Sequence, residues 1–140
     1  MTTRKMSKAD FETLANFRYQ LRRFLRFSEE VTRSRGVTPL QYQLMLQIKG
    51  FPGREWASVA ELAERLQAKH HGVVALISRC EEAGLVRRNA SRSDQRRVEV
   101  SLTAAGVKCL EHLGRLHRDE LHSVKQGFAV PGLEDEPRDA

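Results

Sequence analysis

Residues 84–106, Gly84-Leu-Val-Arg-Arg-Asn-Ala-Ser-Arg-Ser-Asp94-Gln-Arg96-Arg97-Val-Glu-Val-Ser-Leu102-Thr103-Ala-Ala-Gly106, decide how this chain folds. Two apolar-containing runs, Leu85-Val86 and Val98 to Leu102, flank a turn of Ala, Ser, Arg, Asp and Gln. That pattern predicts a β-hairpin. Arg87, Arg88, Arg92, Arg96 and Arg97 crowd onto it, with Asp94 and Glu99 the opposing charges. A single hairpin cannot bury a core of its own, so other elements must support it. Its positive charge then faces either an anion or water.

The segments before the hairpin supply that support. Ser58-Val-Ala-Glu61 is a capping box, and a short helix follows to Leu66 with Val59, Leu62, Ala63 and Leu66 inward. Gln67-Ala68 makes a turn. A second helix runs from about Lys69 to Ala83, closed by Gly84. Val73, Leu76, Ile77 and Cys80 follow the i, i+3, i+4, i+7 spacing of a buried face. Lys69, His70, His71, Val74 and Ser78 lie on the other side.

Further outward, Ser7-Lys-Ala-Asp10 caps a long helix over 7–35. Its apolar residues, from Phe11 to Val31, spread widely around the circumference, which predicts packing on two sides. Thr38-Pro39-Leu40-Gln41 opens another helix, with Thr38 as N-cap and Pro39 in the first turn. Leu40, Leu44, Met45 and Ile48 are its expected buried face, and Gly50 its end. Phe51 to Ala57 reads as a connector holding Trp56. Thr103 caps a last helix over 104–126, with Val107, Leu110, Leu113, Leu116, Leu121 and Val124 as its stripe. Residues 127–140, rich in Pro, Gly and acids, read as a disordered acidic tail.

Composition bounds the function. A chain of 140 residues with 40% hydrophobic and 30% charged content reads as one soluble domain over 1–126. The net charge is +6, and residues 133–140 alone carry −3, so +9 resides in the remainder and favours a polyanionic partner. Two cysteines, Cys80 and Cys109, form neither a disulfide framework nor a zinc-ribbon spacing. No apolar stretch follows the basic start, so no secretory signal is expected, and no run approaches a membrane span. The expected location is the cytoplasm.

Helix, turn, helix and basic hairpin, in that order, is a winged helix-turn-helix. The expected fold is mainly α with a small β-hairpin wing, the winged lobe over 37–103 flanked by N- and C-terminal helices over 7–35 and 104–126. Lys69, His70, His71, Val74 and Ser78 are the candidates to enter a major groove of double-stranded DNA. Arginines on the hairpin suit phosphates and a narrow minor groove. Along the second strand, Arg96 shares a parity with Val98, Val100 and Leu102 and is expected to point inward, with Arg97 pointing out.

These residues resemble the MarR family of bacterial transcription regulators. Four segments match in order: Thr38-Pro39-Leu40-Gln41; Leu62-Ala63-Glu64-Arg65-Leu66; Val73-Val74 through Leu76-Ile77, Arg79, Glu81 and Gly84-Leu85-Val86; and Asp94-x-Arg96 followed by Leu102-Thr103-x-x-Gly106. The resemblance implies DNA contacts at Lys69, His70, His71, Val74 and Ser78. It implies an Asp94–Arg96 pair that stiffens the wing, and minor-groove contact by Arg92 first and Arg97 second. It also implies a homodimer on a palindromic operator, repression, and release by a small aromatic ligand. The family usually carries a further C-terminal helix. Here Gly127, Pro131 and acidic residues stand in its place, so dimerisation would rest on the first and last helices.

Other readings compete. A protein-interaction winged helix without specific DNA binding accounts for the fold but not for the arginines. A thiol- or metal-sensing regulator would use Cys80, Cys109 or the histidines. Cys80 sits in an apolar stripe, His70 and His71 point about 100° apart on a helix, and His112, His117 and His122 share no face. Trp56, Phe51 and the aromatics of the first helix line either an effector pocket or a packed interface. No catalytic constellation is evident, so neither an enzyme nor a cofactor is expected.

Overall fold

The computed structural model describes residues 4–91, 93, 94 and 96–124. The expected tail over 127–140 and the tip residue Arg92 lie outside the described residues. Five helices and three strands follow in the order α1 (Lys8–Ser34), α2 (Pro39–Lys49), β1 (Trp56–Ser58), α3 (Val59–Leu66), α4 (His70–Glu82), β2 (Val86–Ala90), β3 (Val98–Leu102) and α5 (Ala104–Ser123). No helix among the described residues is long and apolar enough to cross a membrane.

Local chemistry sets the helix boundaries. Ser7, Thr38 and Ser58 each accept from the backbone N–H three residues on, and Asp10, Gln41 and Glu61 return the bond to the cap residue's own N–H. The Asp10 carboxyl is held down at about 2, first by its hydrogen bond from Arg4 and then by the Ser7 backbone. At the other ends, Gly36 and Gly84 take positive φ, where a side chain would be strained. In both, the following residue's N–H closes back onto the helix: Val37 to the Thr32 carbonyl at 3.2 Å and Leu85 to the Cys80 carbonyl at 2.9 Å. Leu85 is itself buried, so the same turn that ends α4 anchors the wing in the core.

Leu44, Met45 and Ile48 of α2, Leu62 of α3, Val73, Leu76, Ile77 and Cys80 of α4, Val86 and Val100 of the sheet, and Leu110 and Leu113 of α5 form one core. All four apolar positions expected of α4 are in it. Leu40 is not: it is 54% exposed, because the first turn of α2 projects beyond the elements that cover Leu44 and Met45. Tyr42 is buried in its place.

The sheet has one strand more than the hairpin. Its order is β1-β3-β2, antiparallel throughout. Trp56 and Ala57, expected as part of a connector, and the cap residue Ser58 pair with Ser101, Val100 and Glu99. With β1 on one side and β2 on the other, β3 is the central strand, and the wing is sewn into the lobe rather than hung from it.

Thr103 fixes the start of α5 to the turn that ends α4. Its Oγ1 donates to the Gly84 carbonyl at 2.6 Å and accepts from the Gly106 N–H at 3.0 Å, while its own N–H donates to the Leu85 carbonyl at 3.0 Å. Gly106 must be glycine here, since a Cβ would collide with the Leu85 carbonyl.

Candidate nucleic-acid interface

Two elements, α4 and the β2–β3 wing, carry the expected contact residues. Lys69, His70, His71 and Val74 are exposed along the start and outer side of α4. Ser7, Thr38, Ser58 and Thr103 cap the other four helices with a side chain, whereas the N-cap of α4 is Lys69 and makes no side-chain cap bond. Its first turn carries no acidic residue. Cationic groups at the positive end of a helix, with N–H groups uncapped, are unfavourable for the isolated fold and favourable to an arriving anion.

The wing tip is a built structure. Ser91 is buried, its N–H donates to the Arg97 carbonyl at 2.9 Å, and its hydroxyl accepts from the backbone N–H groups of Ser93 and Asp94. Asp94 Oδ1 accepts from the Arg96 backbone N–H at 3.0 Å, and the Asp94 carbonyl accepts from the Arg97 N–H at 3.0 Å. Asp94 therefore shapes the turn through the backbone of Arg96, its expected partner, and of the neighbouring Arg97, in the manner of an Asx turn.

The inward reading of Arg96 is overturned. Arg96 is exposed, as is Arg97. The strand begins only at Val98, itself at the edge of exposure, so the two-residue alternation that buries Val100 does not extend back into the turn. Both arginines, with Arg87, are open to the solvent on the described wing.

Ser78 lies on the outer side of α4, half-buried and engaged by a wing residue. Arg88, on β2, lays its guanidinium across the outer side of α4. Nη2 donates to Ser78 Oγ at 2.8 Å and to the Val74 carbonyl at 3.1 Å, and Nη1 donates to Glu81 Oε1 at 3.1 Å. The Arg88 backbone N–H reaches Glu81 Oε2 at 3.2 Å. Ser78 is thus engaged by the wing, and Arg88 is a residue that sequence reasoning left among the undifferentiated arginines. A signal was present: Glu81 and Arg88 bracket the Gly84 turn, so folding the strand back sets them opposite one another.

Behind this surface, α1, α2 and α5 meet at His117, which is 4% exposed. Its ring stacks on Tyr42 at 4.2 Å and 10°, with Phe24 and Phe27 edge-on. Nδ1 lies 2.6 Å from the Leu113 carbonyl, which can only accept, so Nδ1 carries a proton. Nε2 lies 2.8 Å from Ser28 Oγ. Both ring nitrogens are spent on the fold. Among the described residues no group of three His, Cys, Asp or Glu is placed to hold a metal. Burial pushes the Cys80 thiol up to about 11 and raises that of Cys109. Neither is a poised thiolate. Trp56 and Phe51 are also engaged, with the Arg54 guanidinium over their rings at 3.8 and 4.2 Å and paired with Glu61.

Residues 35–97, from the end of α1 to the turn between β2 and β3, match the MarR family. A transcriptional regulatory protein assigned to the hcr operon of Thauera aromatica is 31% identical over 117 residues, covering 82% of this chain and 69% of the relative. The chain belongs to the MarR family. It is accordingly a relative of transcription regulators and not of enzymes. MarR-type folds among solved structures include NadR in complex with 4-hydroxyphenylacetate, with a TM-score of 0.71 and 19% identity over 92% of this chain and 86% of that one. They also include a Staphylococcus aureus MepR mutant bound to an oligodeoxyribonucleotide, with a TM-score of 0.63 and 17% identity over 93% and 90%. In this chain Arg88 ties β2 of the wing to α4.

Proposed function

We propose that this MarR-family chain is a sequence-specific DNA-binding repressor. It works as a homodimer in the cytoplasm, grips a palindromic operator with half-sites about one helical turn apart, and is released by a small, aromatic ligand. The observation that carries this reading is the exposed positive charge of α4 and the wing: Lys69 at an uncapped helix start, and Arg87, Arg96 and Arg97 open to solvent on the wing. In isolation these charges repel one another. A phosphate backbone relieves them and releases counterions. The oligonucleotide bound to MepR and the hydroxyphenylacetate bound to NadR support the DNA and ligand parts of the reading.

Within that reading, His70, His71 and Val74 face the base edges and Lys69, Arg96 and Arg97 the phosphates, with Arg92 reaching the minor groove. Ser78 takes part through Arg88 rather than alone. Dimerisation is supported by Phe11, Leu14 and Leu25 on one side of α1 and by Leu121 on α5, apolar side chains that this chain leaves about half exposed.

Fluorescence-anisotropy titration of the DNA upstream of its coding region, at two salt concentrations and against scrambled DNA, tests the proposal. Preference for the native fragment, with affinity falling steeply in salt, is the expected result. Arg97→Ala lowers affinity on all sequences and flattens the salt dependence, whereas His71→Ala changes the sequence preference. Equal binding of native fragment and scrambled DNA by the wild-type protein removes the sequence-specific part of the proposal.

A further inference from the structure

Two arginines stand side by side on β2 and meet different surroundings. Successive side chains of a strand point to opposite faces, so Arg88 shares a face with the buried Val86, while Arg87 faces solvent. In the order β1-β3-β2, β2 is an edge strand: β3 pairs with one side of it, and the Arg88 N–H on the other side reaches α4. β1 accompanies β3 only from Ser101 to Glu99, whereas the hairpin continues to the pair of Ala90 and Val98. The outer wing thus runs on past its brace. Beyond the apolar anchor at Leu85 and Val86, β2 is bonded to α4 at Arg88.

Glu81 takes Arg88 at two points. Its Oε2 accepts from the backbone N–H at 3.2 Å and its Oε1 from Nη1 at 3.1 Å. Nη2 donates to Ser78 Oγ at 2.8 Å and to the Val74 carbonyl at 3.1 Å. The Ser78 hydroxyl, having accepted from Arg88, gives its own proton to the same Val74 carbonyl at 3.1 Å. One strand residue therefore grips α4 from Val74 to Glu81. The Arg88 and Glu81 side chains are 29% and 42% exposed, so salt screens this pair less than a fully solvated one. A planar guanidinium can meet carboxylate, hydroxyl and carbonyl together, and a lysine ammonium, a point charge, cannot. The charge of Arg88 is spent inside the protein, yet two of the groups it holds belong to the outer side of α4.

We propose that Arg88 is a positioning residue that sets the angle between the wing and α4, and thereby governs discrimination between DNA sequences without contacting DNA itself. The consequence for discrimination rests on the DNA-binding reading. The angle does not.

Two measurements on the full chain test this. Residual dipolar couplings of the backbone amides, in weakly aligned protein without DNA, read the orientation of the wing relative to α4. Arg88→Lys and Glu81→Gln shrink the couplings of residues 87–90 and 98–100 and leave those of α4 in place. Ser78→Ala, which removes one acceptor and keeps the ion pair, gives a smaller change of the same kind and decides the matter if either other variant fails to fold. Unchanged wing couplings overturn the proposal, whatever DNA does. Anisotropy titration then compares the native fragment with scrambled DNA. Both Arg88→Lys and Glu81→Gln lower the preference for the native fragment at least about tenfold, with binding to scrambled DNA within about twofold of wild type. Glu81→Gln is the sharper variant, because losing a carboxylate tightens every sequence if charge alone counts. Tighter binding of both DNAs with the preference intact refutes the proposal. So does an equal loss on both DNAs in Arg88→Gln with a salt dependence flatter by about one counterion, which makes Arg88 a phosphate contact. A wing that moves without loss of preference refutes the role in recognition. If the wild-type protein shows no preference, the repressor reading falls, and the couplings alone decide whether Arg88 sets the angle.

Discussion

Helix α1 and the lobe of α2, α3 and α4 are built on opposite plans. The lobe's three helices, of 11, 8 and 13 residues, bury Leu44, Met45, Ile48, Leu62, Val73 and Ile77 almost completely. The 27 residues of α1 fully bury only Ser28 and Thr32, both polar, while Phe11, Leu14, Tyr19 and Leu25 stay about half exposed. Short helices with a closed core carry their own stability. A long helix with its apolar groups outside gains most of its stability from what covers it. The lobe closes its own core, and α1 leaves an apolar side uncovered.

Substitutions on the two sides should behave differently. Ile77→Ala removes a side chain from the sealed core and should cost about 2–5 kcal/mol of unfolding free energy, read by urea denaturation at fixed protein concentration. Phe11→Asp combined with Leu14→Asp should leave the far-UV helical signal nearly intact at high protein concentration while weakening self-association at least about tenfold per substitution, some 1.4 kcal/mol each, by sedimentation. A monomeric wild-type protein, or a double variant that dimerises normally, breaks the comparison. Thr38→Ala takes the cap from α2 and should lower stability by about 1 kcal/mol in the same urea assay, sharpening the measure of how much the lobe owes to its local signals.

The smallest effect appears only in alkali. The folded Cys80 thiol titrates near 11 rather than its ordinary 9.0, first because it is buried. Between those values the folded state holds a proton that the unfolded chain has released, so stability falls as pH rises from 9.0 to about 11 and is unaffected below. Cys80→Ala should flatten that part of the curve, and iodoacetamide should label Cys80 only on unfolding. Labelling in the native state at neutral pH would count against so closed a core.

The same contrast explains what could be read without coordinates. Where one local rule acts alone, the sequence was transparent. The apolar spacing of α4 predicted all four of its buried residues, and each of the Thr38, Ser58 and Thr103 caps forms its expected bond. Where position depends on distant chain, it was not. Three residues are too few for strand periodicity, so β1 becomes visible only when β3 is beside it. Leu40 obeys the helix spacing of Leu44 but lies beyond its cover. The parity that places Val100 inward was carried two residues too far, to Arg96, across a turn that breaks it. Arg88 looked like its neighbours until the fold brought Glu81, Ser78 and the Val74 carbonyl to it.

Thr103 is the sole residue between β3 and α5, and its three hydrogen bonds leave that joint no freedom to swivel. Strand and helix consequently form one stiff lever, with the wing as its short arm and the 20 residues of α5, about 30 Å, as its long one. A torque applied at the far end of α5 cannot be absorbed at the hinge and must turn the wing. Rotation there is geared directly to the angle at which the wing presents its exposed arginines. Softening the joint, with Gly106 kept and Thr103 shortened to alanine, would leave both arms in place and disengage the gear.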